Sequence, residues 1–271
     1  MIPASFDYVR AGSLDDAVTL LAEHGDDAKL IAGGHSLLPM MKLRLAFPTV
    51  LIDIRKVPGA AYVRVDGDVV AIGALTRHCD LVASDVLRAE APLIAAAAGF
   101  VGDPQIRHRG TIGGSLSHAD PAADLPTAVL ASDAVLVALG PDGRREIPVA
   151  DFFAGYFETA LRPGEVLAEI RIPRTGPGGY HYEKFVRRAN DWAIVAVATV
   201  AGRVALANMA PTPIRATATE TALAAGASAA EAAALAAEGT QPIQDMHADQ
   251  DYRRHLARVF TRRSLTAAGI A

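Results

Sequence analysis

The sequence predicts an α+β protein with a larger N-terminal domain and a smaller C-terminal domain. Short apolar strands and helices follow one another in the first part of the chain, as in α+β folds. The stretch RTGPGGYHY at 174–182 concentrates glycine and proline and indicates a boundary. Beyond it, three strand-like segments precede three helical ones. We therefore place domains at 1–176 and 177–271, the first with subdomains at about 1–56 and 57–176.

The N-terminal elements follow from hydrophobic periodicity and turn residues. Residues 13–25 predict a helix, in which Ser13 and Asp16 have the spacing of a capping box. Asp66-Gly67 predicts the two-residue turn of a hairpin. The other elements expected here are strands at 29–34, 49–54 and 165–173, the hairpin at 61–74 and another at 134–149, a helix at 85–100 that Pro92 divides, and a helix at 124–132.

The C-terminal elements also follow from hydrophobic periodicity and turn residues. Ala201-Gly202 predicts a turn between the second and third strands of an antiparallel sheet. The expected strands lie at 181–188, 193–200 and 203–210, and the expected helices at 213–226, 228–239 and 249–269.

Composition excludes several classes of function. The chain has 271 residues, 26 basic and 30 acidic, and its basic residues form no dense stripe that would mark a nucleic-acid groove. Cys79 is its single cysteine, so this chain alone cannot hold an iron–sulfur cluster. Its N-terminal sequence has no signal-peptide pattern and no apolar run has the length of a membrane span. We expect a cytoplasmic protein.

Two glycine-pair segments are the candidate binding elements. They are LIAGGHSLLPMMKLR at 30–44 and GTIGGSLSHADPAADLP at 110–126. Consecutive amides in such loops can form an anion-binding concavity, so the pair could hold a diphosphate from two sides. Neither a Rossmann fingerprint nor a P-loop is present. The alternative at this point is that the glycines only form tight turns.

Four segments together resemble one family. They are AGGHSLLPMMKLRL (32–45), GDPQIRHRGTIGGSLSHADPAADLP (102–126), YEKFVRRANDWAIVAVA (182–198) and NMAPTPIRA (208–216). The chain resembles the FAD-binding medium subunit of molybdenum hydroxylases, of the carbon monoxide dehydrogenase type within the xanthine oxidase family. The resemblance implies the two-subdomain FAD-binding fold of vanillyl-alcohol oxidase-like (PCMH-type) proteins, followed by a smaller antiparallel-sheet-plus-helices domain.

The resemblance also implies a set of FAD-binding residues. The first segment would contact the diphosphate, and Asp124 would accept hydrogen bonds from the ribityl or ribose hydroxyls. Lys184 would lie near the isoalloxazine ring, where a cation stabilises negative charge on the reduced flavin. Val101 stands where related proteins place an aromatic residue, and Leu161 is an apolar contact. The full set is Ala32, Gly33, Gly34, His35, Ser36, Leu37, Val101, Thr111, Gly113, Gly114, Ser115, Asp124, Leu161 and Lys184.

Catalysis of substrate oxidation is not expected of this chain. The resemblance implies a large partner subunit with the molybdenum cofactor and a small one with [2Fe–2S] clusters, in a dimer of heterotrimers. Electrons would pass through the clusters to FAD and on to an external acceptor. A self-sufficient flavin oxidase and a non-catalytic scaffold remain alternatives. His118 and Asp120 provide only two local metal ligands, too few for a closed zinc site, so we assign no catalytic or metal-binding residue.

Overall fold

The computed structural model describes residues 2–270 and confirms the α+β class. Within these residues the strands are β1 Asp7–Arg10, β2 Ala28–Ile31, β3 Val50–Asp53, β4 Val63–Asp66, β5 Val69–Gly73, β6 Val135–Gly140, β7 Gly143–Pro148, β8 Phe153–Gly155, β9 Glu158–Thr159, β10 Val166–Pro173, β11 Tyr180–Phe185, β12 Val195–Val200, β13 Arg203–Ala207 and β14 Ile214–Arg215. The α-helices are α1 Leu14–His24, α2 Leu37–Lys42, α3 His78–Ala83, α4 Asp85–Glu90, α5 Pro92–Gly99, α6 Pro104–Arg107, α7 Ile112–His118, α8 Asp124–Ala131, α9 Thr217–Ala224, α10 Ala229–Ala234 and α11 Gln250–Ala267.

The strands form three main sheets. A parallel sheet has the order β1-β3-β2, and its middle strand β3 is buried along its whole length. An antiparallel sheet follows with the order β4-β5-β10-β6-β7, and β8 pairs with β9 beside it. The C-terminal sheet is antiparallel, with the order β11-β12-β13-β14. Because the three strands are parallel, each connection between them is a crossover, with α1 between β1 and β2 and α2 between β2 and β3.

The C-terminal sheet is buried on both faces. Along β12, Val195 and Val197 pack into the core under α9, α10 and α11, while Ala196 and Ala198 pack into the core that contains α5 and α8. This alternation is the two-residue period of a strand. All eight residues of α8 are buried. The first residue of α8 therefore lies where the C-terminal sheet meets the N-terminal part of the chain.

Two predicted turns have different outcomes. Val200 pairs with Arg203, so Ala201-Gly202 forms the two-residue turn, with φ of 48° and 79°. That prediction is confirmed. Asp66 pairs with Val69, which places the other turn at residues 67–68 and not at Asp66-Gly67. The turn is shifted because Gly67 has the positive φ and therefore occupies the first of the two loop positions.

Other predicted boundaries are also corrected. The helix predicted at 213–226 begins only at Thr217, because Ile214 and Arg215 pair with β13 as a fourth strand. Asp16 does not complete a capping box: Ser13 Oγ accepts from the Asp16 amide at 3.0 Å, but the Asp16 carboxylate accepts from the Gly12 amide at 2.7 Å. The strand predicted at 29–34 ends at Ile31, and the helix predicted at 228–239 ends at Ala234. No α-helix within residues 2–270 has the length and apolar character needed to cross a bilayer.

Candidate functional site

One large cleft brings together most of the predicted binding residues. It has a volume of about 850 Å³ and lies among the segment after β2, the first turns of α7, the segment before β10 and the loop before β12. Every predicted site residue except Lys184 lines it. Volumes of about 300–1,000 Å³ are usual for ligand sites, so the cleft has room for a cofactor.

The first glycine segment offers free backbone donors to this cleft. Its residues 32–36 connect β2 to α2, and Gly34 has a φ of 77° that a side chain would strain. Between Gly33 and Leu37, the amides donate to no acceptor within residues 2–270. The Gly34 carbonyl accepts from Leu38 at 3.0 Å, which closes the turn. Consecutive unpaired amides that line a concavity attract an anion.

The second glycine segment is a helix and not a loop, which corrects the sequence analysis. Thr111 is the N-cap of α7, and its Oγ1 accepts from the Gly114 amide at 3.1 Å. Ile112 donates to the Thr76 carbonyl at 3.0 Å, and Gly113 donates to the Ala74 carbonyl at 2.8 Å. These amides are therefore already used inside the protein. The segment presents its Thr111 and Ser115 hydroxyls instead of a second set of free amides.

Gly33 and Gly113 each allow close contact between two backbone segments of the cleft wall. A side chain on Gly33 would overlap the Arg109 carbonyl oxygen, and a Cβ on Gly113 would lie 2.6 Å from the Ala74 carbonyl oxygen. Both contacts are with backbone, which cannot rotate away. The structure shows that these glycines are required for close packing of the cleft wall itself.

Asp124 connects the cleft to the C-terminal sheet. Its Oδ1 accepts from the Tyr182 hydroxyl at 2.7 Å, and its Oδ2 accepts from Lys184 Nζ at 2.9 Å. Lys184 also donates to the Phe100 carbonyl at 3.2 Å. The side chains of the ion pair are only 5% and 4% exposed. Burial raises the pKa of Asp124, although the Lys184 charge and the Tyr182 hydrogen bond both act to lower it.

Lys184 lies behind the cleft wall. Its ammonium contacts Asp124, which lines the cleft, while Lys184 is not among the lining residues. A molecule bound in the cleft would therefore experience the positive charge of Lys184 together with the negative charge of the Asp124 carboxylate. Val101 and Leu161 are half-buried and pack against the main core. Both also line the cleft, where they form an apolar part of its wall.

Two further lining residues had no predicted role. His78 begins α3 and is buried, and its Nδ1 has no hydrogen-bond partner within residues 2–270. Burial, followed by the positive charges of His35 and Arg107, lowers the pKa of His78 to about 4. Trp192 is 58% exposed and lines the cleft from the segment before β12. Trp192 lies in the segment at 182–198 that carries the family resemblance, whereas nothing in the sequence around His78 marked it.

Comparison with known proteins identifies the family. Residues 4–175 match the family described as the FAD binding domain in molybdopterin dehydrogenase. Residues 180–268 match the CO dehydrogenase flavoprotein C-terminal domain. The chain belongs to the FAD-binding subunits of the molybdenum hydroxylases. Its predicted family and its oxidoreductase class are confirmed, and FAD is the cofactor of this domain family.

The similarity to individual members extends over the whole chain. The chain is 43% identical over 282 residues to the carbon monoxide dehydrogenase medium chain of Hydrogenophaga pseudoflava, which covers 99% of this chain and 98% of that one. It is 39% identical over 283 residues to the 6-hydroxypseudooxynicotine dehydrogenase complex subunit alpha of Paenarthrobacter nicotinovorans, covering 99% and 96%. A solved carbon monoxide dehydrogenase from H. pseudoflava, which lacks the Mo-pyranopterin moiety, matches with a TM-score of 0.95 and 44% identity over 100% of both chains.

The residues of the cleft fit FAD. A diphosphate needs donors without their own acceptors, and the amides from Gly33 to Leu37 meet that need. The Thr111 and Ser115 hydroxyls line the same cleft and add donors. Asp124 keeps lone pairs beyond its two protein bonds and can accept from a hydroxyl. The apolar side chains of Val101 and Leu161 suit a ring system.

Proposed function

We propose that this chain binds one FAD non-covalently and acts as the electron-transfer subunit of a molybdenum hydroxylase. It would accept electrons from [2Fe–2S] clusters on a small partner subunit and pass them to an external acceptor such as a quinone or NAD. A large partner subunit with the molybdenum cofactor would oxidise the substrate. We propose a dimer of heterotrimers, and the names "medium chain" and "complex subunit alpha" of the relatives support a multi-subunit assembly.

The unpaired amides from Gly33 to Leu37 are the observation that carries the proposal. They are donors in a cleft of the right size, and their dipoles would stabilise the charge of a diphosphate, because residues 32–37 and 111–115 contain no lysine or arginine. Their partners in binding would be the Thr111 and Ser115 hydroxyls of the neighbouring segment. The complete proposed set is the one that the family resemblance implies, with Lys184 acting through Asp124.

When bound, FAD supplies the redox chemistry, while the protein supplies position and electrostatics. Asp124 would accept a hydrogen bond from a cofactor hydroxyl, and Lys184 and Tyr182 hold that carboxylate in place. Val101 and Leu161 would exclude water from the ring. The division into an FAD domain at 1–176 and a second domain at 177–271 is part of the proposal, and the family matches at 4–175 and 180–268 support it. A cytoplasmic location stays a prediction.

FAD binding is tested on the purified full chain. We expect the absorption bands of oxidised flavin, or their appearance on reconstitution with FAD, at one FAD per chain. A colourless chain that takes up no FAD would contradict the proposal and favour the scaffold alternative. Oxidation of a small alcohol or amine by the chain alone would favour the self-sufficient oxidase.

The electron route is tested in the assembled complex. Substrate added under anaerobic conditions should bleach the flavin absorption of the complete complex, and an added acceptor should restore it. The matched control is the same mixture without the small iron–sulfur subunit, in which the flavin should stay oxidised. Bleaching in that control would contradict the proposed route.

A further inference from the structure

A second cavity lies beside the glycine segments. It has a volume of about 300 Å³ and shares Ala32, Gly33, Leu75 and Thr111 with the FAD cleft. Its other lining residues are all basic, and they are Arg10, Arg55, Lys56, Arg77 and Arg109. Five cations around one small cavity stand out in a chain whose net charge is −4. We call this cavity the basic pocket.

Most of this charge has no partner among the residues that the structure describes. Asp53 accepts from Arg55 Nη2 at 2.8 Å and also binds the Tyr8 hydroxyl, so one cation is neutralised. The other four, which are Arg10, Lys56, Arg77 and Arg109, make no ion pair and no side-chain hydrogen bond within residues 2–270. They are exposed, so solvent screens their mutual repulsion and the fold tolerates it. An anion in the pocket would attract all four cations and so offset their mutual repulsion.

We propose that the basic pocket binds a small phosphate-bearing anion at a site separate from the FAD diphosphate. Guanidinium groups match phosphate oxygens in paired hydrogen bonds, and four of the five cations are arginines. The volume is at the lower end of the range for small-molecule sites, which suits an anion of one or two phosphates.

Most of the free amides of the first glycine segment line the FAD cleft alone. Gly34, His35, Ser36 and Leu37 line the FAD cleft and do not line the basic pocket. Gly33 and Thr111, which are also proposed donors to FAD, line both cavities, so the two sites adjoin there. The four unpaired cations line only the basic pocket. The same phosphate chemistry has two possible sources, a free phosphate compound or the FAD diphosphate itself, and the experiment distinguishes them.

The test is calorimetric titration of the FAD-loaded full chain with inorganic pyrophosphate. We expect one binding event that weakens as salt rises, with no change in bound flavin. Arg10→Gln with Lys56→Gln should weaken it by at least about tenfold, because charge-assisted hydrogen bonds are lost. These two residues lie outside both glycine segments. The matched control is Arg187→Gln with Arg262→Gln, which removes the same charge from residues that line neither cavity, and it should bind as the unmodified chain does.

Several outcomes would overturn the proposal. Absence of pyrophosphate binding, or equal weakening in the control, would show that the pocket is not a site. Binding to the FAD-free chain that disappears on FAD loading would assign the pocket to the FAD diphosphate. Loss of binding in the assembled complex would show that a partner subunit covers it. Flavin absorbance and pyrophosphate binding are separate readouts, so failure here is distinguishable from failure of the proposed function.

Discussion

Asp124 and Lys184 form a buried ion pair that joins the FAD cleft to the C-terminal sheet. Asp124 is the first residue of α8, and Lys184 lies on β11, 60 residues further along the chain. The carboxylate lines the cleft, and the ammonium lies behind it. Because both side chains are almost fully buried, neither charge can regain water if the other is removed.

We expect Asp124→Asn and Lys184→Met each to destabilise the fold by about 3–5 kcal/mol, because each leaves one buried charge without its partner. The double variant removes both charges and should lose less than the sum of the two. The coupling should be about 1–3 kcal/mol, measured as a double-mutant cycle by urea unfolding of the FAD-free chain.

The matched control for this cycle is the exposed pair Arg88 and Asp85, whose carboxyl side chain is 96% exposed. Arg88→Gln and Asp85→Asn should show a coupling below about 1 kcal/mol, as exposed pairs do. A coupling at Asp124 and Lys184 no larger than this would contradict the importance of burial for the pair.

Gly33→Ala should abolish retention of FAD. The added methyl group would overlap the Arg109 carbonyl oxygen, so the first glycine segment must move and its amides lose their positions. Gly178→Ala is the matched control, since its Cβ would meet nothing within 4 Å and its φ is not positive. Flavin absorbance per chain after gel filtration is the measurement. Equal flavin content in the two variants would show that the contact between the segments is not needed.

The sequence predicted the elements that depend on local signals. The turn at Ala201-Gly202 and the long helix α11 follow from residue type and periodicity. It did not predict α7, because two consecutive glycines disfavour a helix by roughly 1 kcal/mol each. The Thr111 cap and the bonds to the Ala74 and Thr76 carbonyls compensate for that cost. Such tertiary bonds are not visible in a local pattern.

The candidate site also combines features that the sequence predicts with features that depend on tertiary contacts. Family motifs marked the residues that line the cleft, but they did not show that the first segment has free amides while those at the start of α7 are bonded. The Asp124 partner of Lys184 could not be read from the sequence, because the strand and the helix are far apart along the chain. The basic pocket is likewise assembled from separate segments, which contribute Arg10, Arg55, Arg77 and Arg109.

His78 should make stability depend on pH between about 6.5 and about 4. Its pKa is lowered to about 4 in the folded chain from the ordinary histidine value of about 6.5, so within this window the unfolded chain binds a proton there that the folded chain does not. The free energy of unfolding should therefore fall as pH falls through this window, by about 3 kcal/mol at its lower end. Above pH 6.5, protonation of His78 no longer changes the free energy of unfolding with pH.

His78→Gln should flatten that part of the pH dependence. Urea unfolding of both proteins at several pH values gives the difference between them, which removes the contribution of the other titrating groups. The buried substitution itself adds an offset that is independent of pH, so the slope is the relevant quantity. Parallel curves for the two proteins would show that His78 does not titrate as its burial requires.

Trp192 should report cofactor binding through its fluorescence. It is the single tryptophan of the chain and lines the cleft with 58% of its surface exposed. Flavin absorbs at the wavelengths where tryptophan emits, so FAD bound in the cleft should quench most of the emission by energy transfer over so short a distance. The Gly33→Ala variant, at the same FAD concentration, should keep its emission because its cleft wall is displaced. Trp192→Phe should retain flavin absorbance while it loses the signal. Unquenched emission from a chain that carries one FAD by absorbance would place the cofactor away from this cleft.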